Sequence, residues 1–126
     1  MKEKWEKIKW LDNPEDHNYP AAESYLGLIF DKKIVEDLIN KLIKSEKSEF
    51  KAKDIFRASN LSLLGISNSH VEKNIKKIEK EKELSPILLI RDTKRRTVII
   101  ADGYHRMCAV YHYDEDALIP CRIVSI

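Results

Sequence analysis

Apolar residues recur along this chain with two different periods, and the periods alternate. Between Asp31 and Ser45 the set Ile34, Val35, Leu38, Ile39, Leu42, Ile43 repeats at helical spacing with Lys and Glu between. This predicts an amphipathic helix with Asp31 as its N-cap, ending at about Ser45. A sparser stripe, Val71, Ile75 and Ile78, predicts another helix from His70 to about Lys82, capped by Asn68 or Ser69 and ended by Ser85-Pro86. The pattern then changes. Pro86-Ile87-Leu88-Leu89-Ile90 is a continuous apolar run of strand length, as expected of a strand covered on both faces. The polar stretch Asp92 to Arg96 separates it from the β-branched run Thr97-Val98-Ile99-Ile100, so the two runs read as a hairpin. After a break at Ala101-Asp102-Gly103, helix-compatible residues run from Tyr104 to about His112. An acidic turn, Asp114-Glu115-Asp116, precedes a last strand, Ile119 to Val124, with Pro120 expected at its start or on a sheet edge.

The remaining segments are less regular. In residues 1–12 the apolar Trp5, Ile8, Trp10 and Leu11 are placed to dock on the body. Asn13 to Pro20 is turn-rich and reads as a loop, and Pro20 suits the first position of a short helix, Ala21 to Phe30. Glu49 to Asn60 reads either as a strand beginning at Phe50 and Ala52 or as a short helix, Asp54 to Ala58, ended by Asn60. Leu61 to Ile66 reads as a buried connection closing at Gly65. The sum is an α/β (α+β) fold of one domain spanning 1–126, in which residues 1–69 are mostly helical and residues 70–126 carry a small mixed sheet flanked by helices.

Composition narrows the function classes. In 126 residues, 23 basic side chains face 21 acidic ones, so the net charge of +2 argues against a strongly basic nucleic-acid binder. No apolar run approaches the ~20 residues that span a bilayer, so no membrane partner is expected. The opening MKEKWEKIKW has no apolar core of a secretory signal. With only Cys108 and Cys121, this indicates a cytoplasmic protein with free thiols. The four histidines and two cysteines show no metal-ligand spacing, so no structural metal is expected.

Candidate chemistry concentrates in Thr97 to Tyr113. A strand, a tight turn with Gly103, and a helix with His105 and Arg106 in its first turn make an anion site. Free backbone N–H groups and the positive end of the helix dipole face the turn, and glycine lets a ligand approach the backbone. Asp102 beside this cradle is a candidate general base or Mg²⁺ ligand, or else the helix N-cap. Lys51, Lys53 and Arg57 are close enough in sequence to help neutralise a bound phosphate, or else form a solvated face. Cys108, one turn beyond Tyr104, is expected to be a buried structural thiol.

The succession SPILLIRD, TVIIADGYHRMCAVYH, IPCRIV, over roughly residues 70–126, resembles the ParB/sulfiredoxin superfamily. The sulfiredoxin motif Gly-Gly-Cys-His-Arg is similar to Asp102-Gly103-Tyr104-His105-Arg106, with Asp102 at the first Gly and Tyr104 at the catalytic Cys. The resemblance implies a phosphate- or nucleotide-binding role for Gly103, Tyr104, His105 and Arg106. It does not carry sulfiredoxin activity, because a phenol cannot form the thiosulfinate that the chemistry requires. Kinase-like members imply phosphoryl transfer or nucleotide hydrolysis, with ATP, ADP or CTP as nucleotide and Mg²⁺ shared between phosphates and Asp102. The expected function is therefore binding of a nucleotide or other phosphorylated small molecule. The alternative is a non-enzymatic DNA- or protein-binding module, motivated by Lys51, Lys53, Arg57 and the turn Lys94-Arg95-Arg96.

Overall fold

The computed structural model describes residues 4–126, apart from the side chain of Trp5. The docking expected of Trp5 lies outside the described residues. After a 3₁₀ turn at Lys4–Lys7, the elements run α1 (Asn18–Leu26), α2 (Lys32–Lys44), β1 (Lys47–Lys51), α3 (Ala52–Ser59), α4 (Ser69–Glu79), β2 (Ile87–Asp92), β3 (Thr97–Asp102), α5 (Tyr104–Tyr113) and β4 (Leu118–Ser125). The fold is mixed α/β.

The sheet has the order β1-β4-β2-β3. β2 and β3 form the expected antiparallel hairpin, β2 pairs with β4 in parallel, and β1 pairs antiparallel with β4. Side-chain alternation along β2 explains its unbroken hydrophobicity. Ile87 and Leu89 enter one core with α3, α4 and α5, while Leu88 and Ile90 enter a second core with α1 and α2. The N-terminal half is thus more than a helical extension, since it covers one sheet face and supplies an edge strand.

Local rules account for most boundaries. The Asp31 carboxylate accepts the Ile34 N–H at 3.1 Å, capping α2 as expected. Val35, Leu38, Ile39 and Leu42 of its stripe are buried, whereas Ile34 and Ile43 are exposed because the covered arc is narrower than the apolar arc. The ambiguous segment uses both alternatives. It pairs as β1 through Lys51 and turns helical from Ala52, and Asn60 ends α3 in the left-handed conformation at φ 58°. α1 starts earlier than expected, at Asn18, so Pro20 falls within the first turn, where a missing N–H costs no helical bond. α4 stops at Glu79, well before Ser85-Pro86, because Glu81 adopts a positive φ of 56°. The connection 61–66 is only partly buried: Leu63 and Leu64 pack on the core, while Leu61 and Ile66 are exposed. Pro120 lies inside β4, a central strand. It is tolerated because pairing with β2 begins only at Cys121. Ile8 is buried and Trp10 bridges to Leu84, which ties the N-terminal segment to the approach to β2.

Candidate functional site

The turn between β3 and α5 is built by a change of register. Leu89 faces Ile100 but Leu88 faces Asp102, so β3 carries one extra residue at its end. Gly103 follows at φ 110° and forms the N-cap of α5. A Cβ there would lie 2.8 Å from Ile87 Cγ1 and 2.9 Å from Arg106 Nη2. Glycine is therefore required both for the backbone angle and for the space. The Met107 N–H donates to the Gly103 carbonyl at 2.9 Å, and no side chain caps the helix. The amides of Tyr104, His105 and Arg106 precede this first helical bond, at the positive end of the helix dipole.

Asp102 and Arg106 behave differently from expectation. Asp102 is the last residue of β3, not the cap of α5. Its Oδ2 receives Arg106 Nη2 at 3.1 Å, with both side chains largely buried (18% and 17% exposed). Arg106 also donates from Nε to the Ser85 carbonyl at 2.9 Å and from Nη2 to the Pro86 carbonyl at 3.3 Å. Most of its donor capacity is thus spent holding the α5 start against the entry to β2. Nη1 makes no hydrogen bond among the described residues. The network continues inward, where the Ser85 hydroxyl bonds the buried Asn18 side chain, and the Glu15 N–H donates to Asn18 Oδ1 at 2.8 Å.

A polar cleft of about 250 Å³ opens beside this turn. Asp102, Gly103, Tyr104, His105 and Arg106 form one wall, and His70, Lys73, Asn74 and Lys77 of α4 form the other. The His70 and His105 rings pack at 4.9 Å and 48°, and the Tyr104 ring lies 5.6 Å from His105. Burial, then the neighbouring His70 and Arg106, lower the His105 pKa below its ordinary value, which keeps that imidazole neutral at pH 7. The Tyr104 hydroxyl donates to the Ser62 carbonyl, and His112 Nε2 lies 2.7 Å from the Leu64 carbonyl. These contacts strap the 61–66 connection to α5.

The structure brings together Asp102, Gly103, Tyr104, His105 and Arg106 but not the supporting cations. Lys53 is 2.6 Å from Asp116, and Lys51 is 3.9 Å from the same carboxylate. Arg57 pairs with Asp54 at 2.6 Å. None of the three lines the cleft, because β1 and β3 are opposite edges of the sheet and these residues follow β1. The cleft cations are Lys73 and Lys77, which sequence reasoning missed. Their signal was present in the polar face His70, Lys73, Asn74, Lys77 at i, i+3, i+4, i+7 of a helix. Nothing in the sequence says that this face meets the start of α5.

Two other roles are settled by surroundings. Cys108 is fully buried, and burial pushes its thiol pKa up, so it is a packing residue. Cys121, equally buried, is pushed up to about 12. The donor set does not fit Mg²⁺. Asp102 is the sole carboxylate of the cleft, it is neutralised by Arg106, and two ammonium groups stand opposite. Among the described residues no group of three or more His, Cys, Asp or Glu side chains converges. No described helix is long and apolar enough to cross a membrane.

Comparison with protein-family models, with curated proteins and with solved structures gives no match.

Proposed function

We propose that this chain binds the phosphate of a nucleotide or another phosphorylated small molecule in the cleft between α4 and α5, in the manner that its likeness to ParB/sulfiredoxin proteins suggests. The observation that carries this is the meeting of an uncapped helix start with Lys73 and Lys77 in one polar cleft. Backbone amides supply directed donors there, and the two ammonium groups supply net positive charge that Asp102 does not cancel, being already paired with Arg106. His105, neutral at pH 7, adds an N–H donor. Arg106 acts here by fixing the turn, and its free Nη1 completes the donor set. A catalytic version of the function, phosphoryl transfer or hydrolysis, needs a base other than Asp102.

Calorimetric titration with ATP, ADP, CTP, GTP and inorganic phosphate tests the proposal. Wild type should bind at least one of them, and Lys73→Ala/Lys77→Ala should weaken that binding by roughly tenfold or more, about 1.4 kcal/mol per decade. Lys51→Ala/Lys53→Ala should leave it unchanged. Absence of heat with every ligand for the wild type would remove the proposal.

A further inference from the structure

Resting on that phosphate site, we infer that the phosphorylated molecule is the end of a single-stranded nucleic acid, whose backbone continues from the cleft along α4. A second concavity of about 430 Å³ runs along this helix and shares Lys73 and Lys77 with the cleft. Lys76, Lys80 and Lys82 extend it, and its one carboxylate, Glu72, is held by Lys76 at 3.0 Å. The acidic side chains at Glu79, Glu81 and Glu83 do not line it. Lys73, Lys77, Lys80 and Lys82 form no ion pair with any described residue.

Length decides between a small ligand and a strand. At ~1.5 Å rise per residue, Lys73 to Lys80 spans about 10 Å along the axis, more than one phosphate group covers. A mononucleotide filling the cleft leaves Lys76, Lys80 and Lys82 without an anion, whereas a strand meets them with successive phosphates. The stacked rings of His70, His105 and Tyr104 give an unpaired base a flat partner, which a duplex with its bases turned inward cannot use. A membrane surface fits less well. The exposed large apolar residues, Tyr25, Leu28, Ile34, Ile43, Leu61, Ile66 and Ile126, all lie outside α4, so nothing on the track can insert.

Fluorescence anisotropy on the whole chain tests this with a 5′-phosphorylated 12-mer oligothymidylate, its 3′-phosphorylated and unphosphorylated forms, a duplex, ATP as competitor and phosphatidylserine vesicles. One of the phosphorylated strands should bind at least tenfold tighter than a mononucleotide. Lys76→Gln/Lys80→Gln/Lys82→Gln, which leaves the cleft residues intact, should remove most of that advantage. It should also lower the slope of log K against log salt by about 2, at ~0.7 per lost phosphate contact. Mononucleotide affinity should not change in this variant. A strand that binds no tighter than a mononucleotide, a duplex that binds equally well, a triple variant indistinguishable from wild type, or vesicle binding in place of strand binding would each overturn the inference while the phosphate site stands. If neither mononucleotide nor strand binds, both fall together.

Discussion

The two helices that enclose the cleft begin in opposite ways. α4 starts at Asn68, whose side-chain oxygen accepts the His70 and Val71 N–H groups at 3.0 and 3.2 Å. α5 starts at Gly103, which has no side chain to offer. A capped start satisfies its amides internally and is worth about 1 kcal/mol. An uncapped start forgoes that stability and leaves its amides available to a ligand. α5 is held instead by contacts away from its amides: Arg106 to Ser85 and Pro86, and Tyr104 to Ser62. One helix start is built for stability and its neighbour for access.

The largest effect expected from testing this contrast is at Gly103. Gly103→Ala combines backbone strain at φ 110° with contacts of 2.8 and 2.9 Å to Ile87 and Arg106. Together these should cost roughly 2–5 kcal/mol, read from urea unfolding, and should abolish phosphate binding in any folded fraction. A loss below about 1 kcal/mol would show that the turn tolerates a side chain and is not built as described. Asp102→Asn keeps the shape but leaves Arg106 largely buried without its counter-charge. A cost of roughly 1–3 kcal/mol is expected, with phosphate affinity retained or raised because a negative charge leaves the cleft. A large loss of affinity in a folded protein would instead restore Asp102 as a direct ligand-handling group.

Asn68→Ala removes the cap of α4 and should cost about 1 kcal/mol, with unchanged phosphate affinity. If affinity falls as steeply as in the Lys73→Ala/Lys77→Ala variant, the two helix starts are not functionally distinct. The smallest effect is one of pH. Because His105 has a lowered pKa when folded, the unfolded chain takes up the proton first as pH falls below about 6.5. Stability therefore declines from that point down to the folded pKa, and His105→Gln should flatten the decline in a urea series from pH 7.5 to 5. A bound phosphate favours the imidazolium, so wild-type phosphate affinity should rise over the same range.

Legibility in the sequence tracked the range of the forces involved. The α2 cap at Asp31, the β2–β3 hairpin and the strand–Gly103–helix turn rest on neighbours within a few residues, and all three were readable. The end of α4 was misjudged because the positive φ of Glu81 is not encoded by a glycine or proline. Pro120 was misjudged as well, because a strand can be central in the sheet yet unpaired on one side at a single residue. Arg106 was read as a ligand group from its place in the first helical turn. Its real partners, the Ser85 and Pro86 carbonyls, come from about twenty residues earlier in the chain.

By itself, then, the order of residues determined the periods, the caps and the requirement for glycine at the turn, since each depends on local backbone geometry and local hydrogen bonds. Tertiary structure decided which cations share a cleft. Lys73 and Lys77 reached α5, while Lys51 and Lys53 were taken by Asp116. Charge acts through space, and only packing of helices and strands sets which charges are neighbours.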